Sequence, residues 1–168
     1  AGYTRADVEM WAEVCARSGV DVRPAGGDEA RVEDALTSIE GSLERAVSGG
    51  KLEAAARDEA LGRLAVSTEL EDVRGADAVI EAIIESEEAK RELFKELDHI
   101  LPDAQFLASN TSSVPIMKLA AETSRPERVL GLHFFNPVPV LKLVEVVRSI
   151  MTSDEAIARA KRFATENL

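Results

Sequence analysis

The sequence predicts an α/β fold built on a largely parallel β-sheet, and three observations predict it. The run Ala78-Val79-Ile80-Glu81-Ala82-Ile83-Ile84 is almost continuously apolar, as in a parallel strand covered on both faces. Three further short apolar runs follow it, separated by segments with helical periodicity. The chain has 168 residues, 45% of them hydrophobic, enough for one packed core and too apolar for a disordered tail.

From the start of the chain, Thr4-Arg5-Ala6-Asp7 has the form of a capping box, an N-cap threonine with an acid three residues on. Val8, Trp11 and Cys15 continue at helical spacing, flanked by Met10 and Val14, and Gly19 is the predicted stop. Val20 to Arg23 reads as a short strand, cut off by Pro24 and the Gly26-Gly27 pair. A long helix is predicted from Asp28 to Val47, with Val32, Leu36, Ile39, Leu43 and Val47 on one stripe and Gly49-Gly50 ending it. A shorter helix covers Glu53 to Leu61, and Leu64 to Val66 is a brief strand.

After the strand Ala78–Ile84, Ser86 is placed to cap a helix with Ala89, Leu93, Leu97 and Ile100 on one face. Gln105 to Ser109 is the next strand, and Pro115 opens the next helix. Val129 to Phe134 and Leu141 to Val147 are two more strands. Ser153 caps a final helix that runs on to Leu168. Strands alternating with helices in this way are the pattern of an α/β domain.

Charge narrows the function classes. Lys plus Arg number 20 and Asp plus Glu 31, a net charge of −11. Residues 68–98 hold 11 acids against 4 bases, so −7 of that sits in one segment. This argues against nucleic acid or an anionic membrane surface as a partner. No apolar run approaches the roughly 18 residues of a spanning helix. No basic-then-apolar leader is visible, and a cytoplasmic location is expected. The single cysteine, Cys15, allows no internal disulfide, and no metal site is expected.

In open α/β sheets, ligands bind beyond the carboxyl ends of the strands. Glu85 follows the strand ending at Ile84, Asn110-Thr111-Ser112-Ser113 follows Ser109, and His133 closes the run Val129–Leu132. Taken alone, Asn110 to Ser113 is equally a helix-capping loop and His133 a packed core histidine; His99, near a helix C-terminus, reads as structural. Glu145 shifts the balance. Period-two alternation puts it on one face with Leu141, Leu143 and Val147, where a buried carboxylate needs a partner. His133 lies one strand earlier. The two make either a general-base pair or a structural ion pair.

The blocks Ser109-Asn110-Thr111-Ser112-Ser113, Gly131-Leu132-His133-Phe134-Phe135-Asn136-Pro137-Val138-Pro139 and Lys142-Leu143-Val144-Glu145-Val146-Val147 resemble the signatures of L-3-hydroxyacyl-CoA dehydrogenases, in particular the bacterial 3-hydroxybutyryl-CoA branch. The resemblance covers about residues 12–168. It implies a Rossmann-like, doubly wound NAD-binding and catalytic domain with a helical excursion at about residues 28–62. His133 would then be the general base, Glu145 its orienting partner, and Ser112 a contact to the substrate oxygen. Glu85, Lys90 and Asn110 match positions around the nicotinamide and its ribose. Ser42 and Lys51 fall where the family contacts the coenzyme A of its acyl-CoA substrate. The family's helical C-terminal domain, which makes its dimer, is expected to be absent from this chain, so the partner is either a second copy or that missing domain.

The resemblance also has departures. An ungapped register places Tyr3, Arg5 and Val8 at the three positions of the family's glycine loop, so the first βα unit is expected to be incomplete or altered. The acid that would hold the adenosine ribose aligns with Gly26, and Asp28 is the nearest substitute. Pro24 interrupts the second strand, where it removes a ladder donor. Two functions follow: an NAD-dependent 3-hydroxyacyl-CoA dehydrogenase of fatty-acid metabolism, or a non-catalytic homologue serving as a binding or assembly module.

Overall fold

The computed structural model describes residues 12–26, 29–135 and 143–167, the side chain of Arg31 excepted. The described residues of Thr4–Asp72 and of Val73–Thr165 form two compact units. Asp28, the capping box at Thr4, the three glycine-loop positions and the stretch 136–142 lie outside the described residues.

In the first unit, helix α1 occupies residues 12–17 and gives way to Gly19 at φ +91°, the left-handed stop expected there. Helix α2 is Glu29–Ser48 and α3 is Ala54–Gly62. Ile39 and Leu43 from the α2 stripe pack with Ala12, Ala16 and Ala60, while Val32, Leu36 and Val47 are only half-buried. The predicted strands on either side of α2 and α3 meet as two parallel bridges, Val22 with Leu64 and Ala25 with Ser67. Val22 N–H donates to Arg63 O and Ala65 N–H to Val22 O; further on, Ser67 N–H donates to Pro24 O and Gly26 N–H to Ser67 O. Between these pairs Pro24 has no N–H to give, and the ladder is broken into bridges rather than a continuous strand.

The second unit carries a four-stranded sheet in the order β1 (Ala78–Glu81), β2 (Phe106–Ser109), β3 (Val129–Phe134), β4 (Val144–Val147). The β1–β2 and β2–β3 pairs are parallel and β3–β4 is antiparallel. Helices α4 (Glu87–Ile100), α5 (Ile116–Ala120) and α6 (Asp154–Asn167) complete it. Ser86 and Ser153 cap α4 and α6 as predicted, their hydroxyls accepting from Ala89 N–H and Ala156 N–H. β2 is buried throughout, and Phe163 of α6 meets Phe106 edge to face at 6.1 Å between ring centres.

Three expectations need correction. β1 stops at Glu81 instead of running to Ile84, because the Ile83 N–H turns back onto the Glu81 carboxylate at 2.6 Å. It is an edge strand among the described residues, so Ala78, Val79 and Ile80 are half-buried and not covered on both faces. The buried face of α4 is Lys90, Phe94, Leu97, Asp98 and Ile100, while Ala89 and Leu93 are half-buried. Two charged residues therefore lie on the inner face, and each is paired. Asp98 bonds to Arg128, which is 2% exposed and also donates to the carbonyls of Leu101, Pro102 and Ala104.

Candidate active site

The carboxyl ends of β1, β2 and β3 are fastened together by Asn110. Its N–H donates to Glu81 O and its Oδ1 accepts Phe134 N–H, both at 2.9 Å. The side chain is 1% exposed, and Nδ2 has no hydrogen-bond partner among the described residues. Because a backbone N–H must be met by the amide oxygen, the orientation of this side chain is set and its NH2 is an unspent donor.

Glu85 sits in the loop from β1 to α4 and gathers donors from the loop after β2. Thr111 Oγ1 donates to its Oε1, as do Ser113 Oγ at 2.8 Å and Ser113 N–H at 3.2 Å. Lys90 Nζ lies 3.4 Å from the other oxygen. Partial burial pushes the Glu85 carboxyl pKa up, but the Thr111 and Ser113 hydroxyls and the Lys90 charge outweigh this and hold it at about 2. Glu85 is a fixed anion at neutral pH.

Lys90 is itself 1% exposed, and its ammonium meets Glu81 Oε1 at 2.5 Å and Ile83 O at 3.3 Å. Glu81 is also buried, and its second oxygen accepts the Ser109 hydroxyl at 2.6 Å. Sequence reasoning overlooked Glu81. The signal was present: it is the only charged residue in the apolar run Ala78–Ile84.

His133 and Glu145 face each other across β3 and β4, with Nδ1 3.0 Å from Oε2. The Phe135 ring lies edge-on to the imidazole at 4.9 Å between centres. Two residues before His133 on β3, Gly131 keeps this face close-packed: a Cβ there would come 2.9 Å from Val147 Cβ and 3.2 Å from Ile116 Cδ1. The expectation of a buried Glu145 is corrected, since its side chain is 53% exposed. The half-buried residues of β4 are Val144 and Val146, and Glu145, Leu143 and Val147 are the more exposed set.

Asn110, Glu85, Lys90 and His133 are thus brought together at the strand ends, and Ser112 is exposed in the loop between β2 and α5. Ser42, half-buried on α2, and Lys51, exposed in the turn after it, belong to the other unit. A fixed carboxylate, a buried amide with an unspent donor and a carboxylate-supported imidazole fit the hydroxyl-rich, amide-bearing nicotinamide end of a dinucleotide. No group of three or more His, Cys, Asp or Glu is placed to hold a metal ion among the described residues. No helix among them is long and apolar enough to cross a membrane.

Comparison with known proteins converges on one family. The model of the 3-hydroxyacyl-CoA dehydrogenase NAD binding domain matches residues 9–167. The 3-hydroxybutyryl-CoA dehydrogenase of Mycobacterium tuberculosis is 54% identical over 156 residues, 92% of this chain and 54% of that protein. A probable 3-hydroxybutyryl-CoA dehydrogenase of Bacillus subtilis is 45% identical over 144 residues, 86% of this chain and 50% of that one. Among solved structures, (S)-3-hydroxybutyryl-CoA dehydrogenase from Ralstonia eutropha superposes with a TM-score of 0.90 at 37% identity, covering 98% of this chain and 58% of that one. The chain spans about half the length of the curated relatives it matches.

Proposed function

The chain belongs to the 3-hydroxyacyl-CoA dehydrogenase NAD-binding domain family, and on that premise we propose that it carries the cofactor-binding and proton-transfer machinery of an NAD-dependent 3-hydroxyacyl-CoA dehydrogenase acting in fatty-acid metabolism. The observation that carries this reading is the His133–Glu145 pair standing beside Asn110 at the strand ends. NAD, when bound, supplies the hydride chemistry at the carbinol carbon. The protein supplies the proton transfer. With Nδ1–H donated to Glu145, Nε2 is the basic nitrogen of His133 and takes the proton of the 3-hydroxyl. Glu145 supports the imidazolium that results. Ser112 is the donor to the substrate oxygen. Glu85, Lys90 and Asn110 hold the nicotinamide end, Asp28 the adenosine ribose, and Ser42 and Lys51 the coenzyme A.

Titration of the protein with NADH, followed by nicotinamide fluorescence, tests the first half of this reading, and oxidation of NADH on adding a short-chain 3-oxoacyl-CoA tests the second. Saturable micromolar binding with turnover is expected. Gly26, at the position where the family's ribose-binding acid is expected, favours the second reading, a non-catalytic binding or assembly module. Absence of any response to millimolar NADH would select it.

The proposed setting is the cytoplasm, and the proposed partner is a second copy of the chain or a helical domain of the family's kind. Exposed Met117, Leu143, Val147 and Ile150 support an association surface on the second unit. Sedimentation velocity is expected to show a species that grows with concentration.

A further inference from the structure

We propose that Glu81 is a positioning residue for the cofactor site, tying the loop after β1 to the loop after β2 and holding the Lys90 ammonium so that Glu85 keeps its negative charge for the cofactor. This inference rests on the NAD reading above. Apart from the Ile83 N–H that its Oε1 accepts, the polar contacts of Glu81 lead on to residues assigned to the cofactor. Its carbonyl accepts Asn110 N–H at 2.9 Å. Its Oε1 takes Lys90 Nζ, which reaches Glu85 at 3.4 Å. Its Oε2 takes the Ser109 hydroxyl, whose oxygen accepts Thr111 N–H at 3.2 Å, and Thr111 in turn donates to Glu85.

The charge count explains why two acids share one ammonium. Were Lys90 opposed by Glu85 alone, the pair would neutralise itself and Glu85 would offer incoming hydroxyl donors little field. Lys90 sits nearer Glu81, at 2.5 Å against 3.4 Å, so Glu81 takes most of the ammonium's charge and the cluster keeps one net negative charge, on Glu85. Replacing a buried ion pair with apolar residues of similar volume is often neutral or stabilising, because burying the charges costs desolvation. A stability role therefore does not account for the arrangement, whereas fixing Glu85 and Asn110 on two separate loops does.

The test is a double-mutant cycle on NADH affinity, read by fluorescence titration of the whole chain. Glu81→Gln alone leaves a buried ammonium short of its counter-charge and risks misfolding. The main variant is therefore the pair Glu81→Gln with Lys90→Met, which removes both buried charges together, and circular dichroism checks that it folds. It is expected to weaken NADH binding about tenfold beyond what Lys90→Met does alone, so that any contact of Lys90 itself cancels, a loss within the coupling range for residues of one hydrogen-bond network. In a Glu85→Gln background the same comparison, the pair against Lys90→Met, is expected to change affinity by less than about twofold. Where turnover is measured, KM for NADH rises and KM for the acyl-CoA does not. Equal affinity of the double variant and Lys90→Met overturns the proposal while wild-type binding leaves the NAD reading standing. Equal losses with and without Glu85 also overturn it, because Glu81 would then act independently of Glu85. A wild-type chain that does not bind NADH overturns the NAD reading and this proposal with it.

Discussion

His133 and Glu145 occupy one cross-strand position of β3 and β4, and their bond of 3.0 Å joins a largely buried imidazole, 17% exposed, to a carboxylate that is 53% exposed. The asymmetry matters for the chemistry. A carboxylate this open is screened by water, so its electrostatic help to His133 is that of an exposed ion pair, about 0.2–1 kcal/mol. Its larger service is geometric, since directly opposed residues on an antiparallel pair hold their side chains in a fixed relation. The hydrogen bond also decides which ring nitrogen carries the proton.

The two residues are thus predicted to differ in weight. His133→Ala is expected to lower turnover about 10²- to 10⁴-fold, the range of a lost general base, with little change in acyl-CoA affinity. Glu145→Gln is expected to cost no more than about fivefold, which is what about 1 kcal/mol supplies. Steady-state rates with a short-chain 3-oxoacyl-CoA check both. A full rate for His133→Ala removes His133 from the mechanism.

Much of this pairing is legible in the sequence. β3 begins and ends where its apolar run does, and the strand-end positions of Glu85, Asn110 and His133 follow from the alternation of elements. Local pattern failed where pairing across the fold decides the outcome. Scored as polar, Lys90 belongs outside α4; Glu81 makes it an inner residue and rotates the helix face with it. The exposure of Glu145 depends on what covers β4, which no period along β4 records. The antiparallel direction of β4 is likewise a property of the sheet and not of the strand.

Glu85 makes acid stability a readout of the loop geometry. Its folded pKa is held at about 2, below the ordinary 4.5, despite the upward push of burial, by Thr111, Ser113 and Lys90. A depressed carboxylate stabilises the fold fully above its unfolded pKa and loses that contribution as pH falls through its folded pKa. Stability from Glu85 should therefore fade between pH 4.5 and about 2. Urea unfolding at stepped pH is expected to show Glu85→Gln less stable than wild type near neutrality, with the two curves converging across that window. Parallel curves would show that Glu85 is not the titrating group.

Gly131 is required by space and not by backbone conformation. A methyl there would stand 2.9 Å from Val147 Cβ, which cannot rotate away, and 3.2 Å from Ile116 Cδ1. Gly131→Ala is expected to cost about 1–3 kcal/mol, the range for overpacking a close-packed site. It should also lower turnover beyond any loss of folded protein, because β4 must shift and Glu145 rides on it two residues from Val147. Adding Val147→Gly, which opens the space, is expected to recover part of both losses. Turnover that merely tracks the folded fraction would separate Gly131 from the geometry of the pair.

The last prediction concerns the polar knot under α4. Arg128 Nη2 meets Asp98 Oδ1 at 2.7 Å, and Nη1 donates to three carbonyls, those of Leu101, Pro102 and Ala104. Asp98 also accepts Ser124 N–H at 2.8 Å. Burial raises the Asp98 carboxyl pKa, but the Ser124 bonds and the Arg128 guanidinium outweigh that and leave it lowered. One side chain thereby closes the carbonyl end of α4 and ties it to the chain entering β3. Arg128→Met keeps the volume but leaves a buried carboxylate without its counter-charge and takes a donor from three carbonyls, and breaking a buried pair in this way costs about 3–5 kcal/mol. The urea midpoint should fall accordingly while the slope holds. Asp98→Asn added to Arg128→Met removes the stranded charge, and that double variant is expected to regain part of the loss. If it is no more stable than Arg128→Met alone, the cost lies in the lost bonds to the carbonyls and not in the ion pair.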